Sequence, residues 1–161
     1  MSRIDQLISW LNDAYAMETG LVPILQNHAE DAKSDRDAAE RITRHAEETK
    51  RHADRVKACV EKLGGRAASV RAGVSAVIGG FESLATAPFR DELVKNALMD
   101  YASEHFEIAC YTALITAARK AGREDIARVC DEILTEERVM AHWLEGHIPL
   151  VVEEALVTTS A

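Results

Sequence analysis

One stretch of the sequence decides the fold, and it reads ALMDYASEHFEIACYTALI over residues 97–115. Its apolar side chains recur every three to four residues, which is the spacing of one face of an amphipathic helix. Glu104 lies on that face between Tyr101 and Ile108, and Glu107 follows one turn later, towards the edge. A carboxylate in a core costs several kcal/mol unless it is paired or coordinated. The stretch therefore predicts a core helix whose two glutamates need a partner.

The same anomaly recurs on three other predicted helices. Glu18 lies on the apolar face of an N-terminal helix, one turn after Tyr15, and Glu137 lies on the apolar face of a C-terminal helix. On the second helix, Glu48 is at the edge of the apolar face, and His52 lies one turn later and nearer its centre. Because so many acids on core faces need a common explanation, we interpret them as one site.

The chain as a whole has an all-α pattern, since no alternating strand pattern occurs in it. Short links after the first and third helices predict two antiparallel hairpins. The longer segment 66–88, with room for one short helix, predicts a crossover between helices two and three, which is the arrangement of a ferritin-like four-helix bundle. We expect the bundle to occupy residues 1–149 and a frayed extension to occupy 150–161, with Pro149 ending the fourth helix. The predicted helices are 3–28 behind Ser2 as cap, 35–63 behind Ser34 as cap, 89–121 behind Pro88, and 124–148.

The heights of the acidic side chains also indicate a single site. The midpoints of the predicted helices fall near residues 16, 49, 105 and 136. Antiparallel hairpins with short loops place these midpoints at one level, and all the glutamates above lie within about one turn of a midpoint. We therefore expect their carboxylates to meet in the middle of the bundle.

A pair of divalent cations is the partner that this cluster predicts. Crowded carboxylates repel one another and take up protons, and cations remove that repulsion. Oxygen ligands with one or two imidazoles favour iron, or else manganese, over a thiolate-seeking metal. The candidate metal ligands are Glu18, Glu48, His52, Glu104, Glu107 and Glu137, and the candidate residues around them are Tyr15, His45, Tyr101 and His105.

Composition narrows the classes of function. The chain has 161 residues, of which 47% are hydrophobic, and a formal net charge of −8. Such an acidic chain lacks the basic face that nucleic-acid binding requires. The longest nearly apolar stretch, 108–118, is too short to span a bilayer, and no export signal is visible. Three scattered cysteines suit reduced thiols. We therefore expect a cytoplasmic protein that binds neither nucleic acid nor membrane.

Several motifs resemble the YciE/YciF family of ferritin-like stress proteins. They are EHFEIA at 104–109, EETxxH at 47–52, LNDAYxxE at 11–18 and the glutamate pair at 136–137. The match covers most of residues 7–145. The resemblance implies a ferritin-like bundle with a di-metal carboxylate centre in a bacterial cytoplasmic protein, with a homodimer as the expected assembly and a role in stress responses.

A second resemblance bears on chemistry. The pair Glu104 and Glu107 is similar to the third helix of rubrerythrins, which reduce peroxide at a di-iron centre, so any turnover is expected to involve oxygen or peroxide. Ferritin-like sites commonly place Glu-x-x-His on helices two and four. Here position 51 is arginine with His52 one residue later, and Met140 occupies the corresponding place on helix four. The second metal ion would then lack one ligand, so a site for a single metal ion is an alternative.

Two other functions fit the same pattern. One is a non-catalytic structural or interaction bundle that forms a dimer and requires no metal, with its buried acids holding protons or water. The other is iron storage in a cage, for which the sequence has no clear cage-forming element.

Overall fold

The computed structural model describes residues 2–68, 79 and 91–158, and four long helices make up most of this part of the chain. No strand occurs among the described residues, and the predicted all-α four-helix bundle is confirmed. The crossover with its short helix, predicted over 66–88, lies almost entirely outside the described residues. The helices are α1 (Arg3–Asp31), α2 (Arg36–Lys62), α3 (Glu92–Lys120) and α4 (Glu124–Thr158).

The first hairpin joins α1 to α2 through one 3-10 turn, Ala32–Ser34. As predicted, α1 begins behind Ser2, whose hydroxyl and backbone N–H form a capping box with Asp5. The prediction that Ser34 caps α2 is wrong, because Ser34 belongs to the 3-10 turn. Asp35 caps α2 instead, since its backbone is extended and its carboxylate accepts a hydrogen bond from a backbone N–H three residues on.

The second hairpin joins α3 to α4 through a tight turn at Gly122, whose φ of +71° is the left-handed conformation that ends a helix. α3 begins at Glu92, three residues later than predicted, because Asp91 is extended and its side chain caps the helix. The prediction that α4 ends at 148 is wrong, since the helix continues through Pro149 to Thr158. Residues 159–161, the end of the expected frayed extension, lie outside the described residues.

Burial explains why α4 continues past its proline. Val151, two residues after Pro149, is buried against Val94 and Ala97 near the start of α3. Burying a valine side chain contributes about 1.5–3 kcal/mol. This gain is comparable to the cost of about 3 kcal/mol that a proline imposes inside a helix. Packing against α3 therefore offsets the missing backbone hydrogen bond.

Two apolar clusters fill the two halves of the bundle. The larger includes Leu11 and Val56 on the first hairpin and Ile133 on α4, and the smaller includes Leu25 and Ile42. A layer of buried polar side chains lies between the clusters, near the middle of the helices. None of the helices described has an apolar stretch sufficient to cross a membrane. The fold therefore places one polar layer between two apolar layers.

Candidate metal centre

Buried acids from three helices meet in the polar layer. Glu18 on α1, Glu104 and Glu107 on α3, and Glu137 on α4 are all at most 2% exposed. α2 contributes two buried imidazoles to the same layer. The apolar periodicity of each helix explains this placement, since each glutamate occupies a position that would otherwise hold a core side chain. The structure thus brings these predicted residues together.

The first group of potential ligands consists of Glu18, His52 and Glu137. Nδ1 of His52 lies 2.8 Å from Oε1 of Glu137 and 3.8 Å from Oε2 of Glu18. The three ligand atoms lie within 4.8 Å of one another. None of these three atoms has a hydrogen-bond partner of acceptable geometry. Three potential ligand atoms therefore converge on one point, which is an arrangement that a cation would complete once the imidazole loses its proton.

The second group consists of His45, Glu104 and Glu137, again with ligand atoms within 4.8 Å of one another. Nε2 of His45 lies 2.8 Å from Oε1 of Glu104, while Oε2 of Glu104 has no partner. Glu137 belongs to both groups, and neither of its carboxylate oxygens has a partner. A carboxylate shared in this way is suited to bridge two cations.

Glu107 and Glu48 occupy different positions from these groups. Glu107 is buried with Oε1 unpartnered, yet it belongs to neither group of three. The side chain of Glu48 is 29% exposed, and its Oε2 lies 3.4 Å from Nδ1 of His45 and 3.5 Å from Arg41. These contacts with His45 and Arg41 hold the pKa of Glu48 at about 2. Glu48 is thus placed behind His45, where it orients the imidazole.

The residues predicted to surround the centre lie at different distances from it. His45 belongs to the second group itself, although it was predicted only to surround the ligands. Tyr15 is half-buried and packs against the larger apolar cluster. The rings of Tyr101 and His105 contact each other edge to face at 4.4 Å, and His105 is exposed. The structure does not bring this last pair into either group.

Two supporting residues were not among the predicted site residues. Tyr111 is fully buried, and its hydroxyl donates to Oε1 of Glu18. Glu136 accepts from Nε2 of His52 at 2.8 Å and from Arg55 at 2.9 Å. The signal for Tyr111 was available, because it lies two turns after Glu104 on the same face of α3. Glu136 points away from the core face of its helix, so periodicity gave no signal for it.

Burial dominates the electrostatics of the carboxyl groups. Burial raises the pKa of Glu18 to about 8, and the charge of Glu137 adds to the increase. Burial also raises the pKa of Glu104 to about 8, although His45 opposes the change. The pKa of Glu107 is raised well above its ordinary value by burial and by the neighbouring acids. Without a cation, burial therefore favours the protonated form of these carboxyl groups, and at Glu104 the contact with His45 opposes that preference.

At the two imidazoles, the neighbouring acids rather than burial determine the direction of the pKa change. Burial lowers the pKa of His45, but its contacts with Glu104 outweigh this and raise the pKa to about 10. At His52, contacts with Glu137 likewise outweigh burial and raise the pKa to about 9. Both imidazoles are therefore cations in the metal-free protein. Each imidazole therefore carries a positive charge next to a buried acid.

The donor chemistry of the layer fits metal binding. Five carboxylate oxygens are buried without a partner, on Glu18, Glu104, Glu107 and twice on Glu137. Carboxylate and imidazole donors without thiolate are the set that iron and manganese take in proteins. The cysteines are not part of this set, since Cys59 and Cys130 belong to the larger apolar cluster.

Comparison with known proteins agrees with the fold and the motifs. Residues 2–157 match the family described as a domain of unknown function, DUF892. A protein from Xanthomonas campestris is 33% identical, with a TM-score of 0.86, and the match covers 99% of this chain and 100% of that one. The E. coli stress protein YciF is 24% identical, with a TM-score of 0.80 and coverage of 95% and 98%.

A more distant likeness concerns the fold alone. The bacterioferritin of Desulfovibrio desulfuricans, a protein described with a diiron site, is 20% identical with a TM-score of 0.76, and the match covers 98% of this chain and 90% of that one. The predicted ferritin-like architecture is confirmed, and so is the predicted resemblance to the YciE/YciF proteins. With nearly the whole sequence matched, the chain belongs to the DUF892 family.

Proposed function

We propose that this protein binds a pair of iron ions, or alternatively manganese ions, in the buried polar layer. The observation that carries the proposal is the convergence of unpartnered carboxylate oxygens on two imidazoles between apolar halves of the bundle. Removing such groups from water costs several kcal/mol unless something neutralises them. A divalent cation at each group would provide that neutralisation.

The two groups assign the ligands. Glu18 and His52 would hold one ion, His45 and Glu104 the other, and Glu137 would serve both. Iron bound by such ligands supplies one-electron redox chemistry towards dioxygen or peroxide. The likeness of the glutamate pair on α3 to rubrerythrins supports this class of reaction, as does the fold shared with a bacterioferritin.

The chain's own residues prepare the site for this role. Tyr111 holds Glu18 by a hydrogen bond, and Glu136 holds the far nitrogen of His52. Glu48 contacts the far nitrogen of His45 in the same way. Such outer contacts fix the orientation of an imidazole or carboxylate ligand. The apolar clusters on both sides exclude water, which strengthens every charge interaction within the layer.

Metal content tests the proposal directly. Protein of residues 1–161, purified without chelator and incubated with Fe(II) under anaerobic conditions, is expected to hold about two ions per chain, in the manner of di-metal carboxylate bundles. Glu137→Gln should lose most of this metal, because Glu137 is shared by both groups. Glu47→Gln, an exposed acid on α2, is the matched control and should bind as wild type does. Equal, near-zero metal in wild type and Glu137→Gln would refute the proposal.

The phenol of Tyr111 offers a second test. Tyr111→Phe removes the hydroxyl that donates to Glu18 but keeps the ring in the core. Losing a partner of a ligand typically weakens metal affinity about 10–100-fold. Tyr101→Phe, on the same helix but outside the centre, should leave affinity unchanged. Titration with Mn(II), followed by electron paramagnetic resonance, measures both, and equal affinities of the two variants would contradict the role of Tyr111.

A structural bundle without a required metal is the second candidate function. It is favoured by the ion pairs that imidazoles form with acids in the metal-free layer, such as His45 with Glu104 at 2.8 Å. A melting temperature that does not respond to Fe(II) or Mn(II) would favour this candidate.

We also propose that the protein forms a homodimer, is located in the cytoplasm and has a role in stress responses. Trp10, 44% exposed beside a groove between α1 and α3, is a candidate dimer contact.

A further inference from the structure

A second polar cluster lies about one helical turn beyond the candidate metal centre, towards one end of the bundle. It lines a small cavity where α1 ends and where α2 and α3 begin. The cavity has a volume of about 20 Å³, which is enough for one water molecule or one ion. The polar residues that line it are His28, Asp35, Asn96, Asp100, His147 and Glu154.

Asp100 is the most informative member of this cluster. It is 2% exposed, and its Oδ1 lies 2.7 Å from Nδ1 of His28, also buried. Its second oxygen, Oδ2, is buried and has no partner. Buried carboxylate oxygens in folded proteins almost always have a hydrogen-bond donor or a cation beside them. Because His28 already holds one oxygen, the other is left available to a ligand in the cavity.

His147 provides a second donor atom for such a ligand. Its ring stacks on Trp143 with centroids 4.5 Å apart and an angle of 17°, which restricts its orientation. Burial lowers the pKa of His147, so the imidazole is neutral at pH 7 and keeps a lone pair. His147 and Asp100 line the same cavity, and a neutral imidazole and a carboxylate are a common pair of ligands for a transition-metal ion.

The charges around the cavity favour a cation over an anion. Among the described residues that line it, none is a lysine or an arginine, whereas three are acids. Asp35 and Glu154 both act electrostatically on His147, as does Asp100. The cavity therefore has a negative potential, with His28 as the one cationic candidate on its wall.

We propose that this cavity is a separate site for one divalent transition-metal ion, bound by Asp100 and His147, with His28 orienting Asp100. The site is distinct from the candidate centre, since Asp100 precedes Glu104 by one turn of α3. A cation held there would lie next to the centre along the bundle axis. The proposal does not depend on the centre being occupied.

Binding of Mn(II) to a protein without its centre tests the proposal. The triple variant Glu18→Gln/Glu104→Gln/Glu137→Gln removes the acids of both groups and keeps their shapes. In equilibrium dialysis read by electron paramagnetic resonance, it should still bind about one Mn(II) per chain. Adding Asp100→Asn should weaken this binding at least tenfold, and adding His147→Gln, at a half-buried position, should do the same. Adding His142→Gln, an exposed histidine on the same helix, should change nothing.

The outcomes separate this site from the proposed function. No Mn(II) in the triple variant, or binding unaffected by both Asp100→Asn and His147→Gln, would overturn the inference and leave the cavity to a water molecule. If wild type and the triple variant bind the same single ion, the proposed di-metal centre fails while this site stands. Thermal melting of each variant shows whether it is folded, and His147→Gln keeps the test informative if Asp100→Asn does not fold.

Discussion

Two neighbouring glutamates on α3 are expected to respond oppositely when leucine replaces them in metal-free protein. Glu107→Leu should raise the free energy of unfolding by about 1–2 kcal/mol, since a buried carboxyl with an unmet polar atom is exchanged for an apolar side chain of similar volume. Oε1 of Glu107 is buried without a partner, and burial with nearby acids raises its pKa. The substitution would therefore remove the free-energy cost of burying this carboxyl group without a metal ion.

Glu104→Leu should lower the free energy of unfolding by about 3–5 kcal/mol, because it leaves a buried charge without its partner. Nε2 of His45 lies 2.8 Å from Glu104, and this contact holds the pKa of the imidazole at about 10. Urea unfolding with EDTA present measures both variants. The two substitutions are matched in chemistry, in helix and in burial, so a change of the same sign in both would contradict the assigned contacts.

The stability of metal-free protein is expected to fall as the pH rises from 6 to 8.5. Glu18 and Glu104 have pKa values of about 8 in the folded protein, well above their ordinary values. The folded state therefore holds protons that the unfolded state has lost, and rising pH favours unfolding. His45 and His52, with pKa values of about 10 and 9, act in the same direction. Their stabilisation is complete below the ordinary pKa of histidine and is lost as the pH rises.

Added metal should reverse this trend, because its ligands bind in the deprotonated form. At a free metal concentration of about 1,000 times the dissociation constant, binding adds about 4 kcal/mol of stability. For a chain of this size, that corresponds to an increase of roughly 10 °C in melting temperature. The increase should be larger at pH 8 than at pH 6, and release of protons to a weak buffer should accompany it.

Melting curves in EDTA and in saturating Mn(II), taken at both pH values, test this prediction. The triple variant Glu18→Gln/Glu104→Gln/Glu137→Gln is the control, because it removes the carboxyl groups of both groups of ligands, which take up protons and would bind the metal. Its melting temperature should depend less on pH, and any response to Mn(II) should be small. A metal-free wild type that becomes more stable as the pH rises would contradict the electrostatic picture of the layer.

Local sequence signals predicted most of the helices but not all of their ends. Ser2 caps α1 as expected, because its capping box involves residues only three apart. Asp35 rather than Ser34 caps α2, because both residue types are good caps but Ser34 belongs to the 3-10 turn that precedes the helix. The end of α4 was missed for a different reason. Its continuation past Pro149 depends on Val151 packing against α3, which is a contact distant in sequence.

The residues of the candidate centre were likewise predicted only in part. Periodicity placed Glu18, Glu104 and Glu137 on apolar faces, because a helix turns by a fixed angle per residue, but it placed Glu107 only towards an edge. On α2 it favoured Glu48 as the ligand and placed His45, three residues earlier, among the surrounding residues. The rotation and tilt of α2 in the bundle place His45 beside Glu104 and leave Glu48 part-exposed behind it. A rotation of a few tens of degrees would exchange their positions.

The sequence by itself determined four helices, a common level for their acidic side chains and the chemistry of the donors, since these follow from residue type and from distance along a helix. Only the tertiary structure decided that Glu137 is shared by two groups, that Tyr111 holds Glu18 and that Asp100 has an unpartnered oxygen. The physical reason is that a ligand contact depends on separations of a few ångströms between different helices. Packing of the whole bundle sets those separations, and no single helix encodes them.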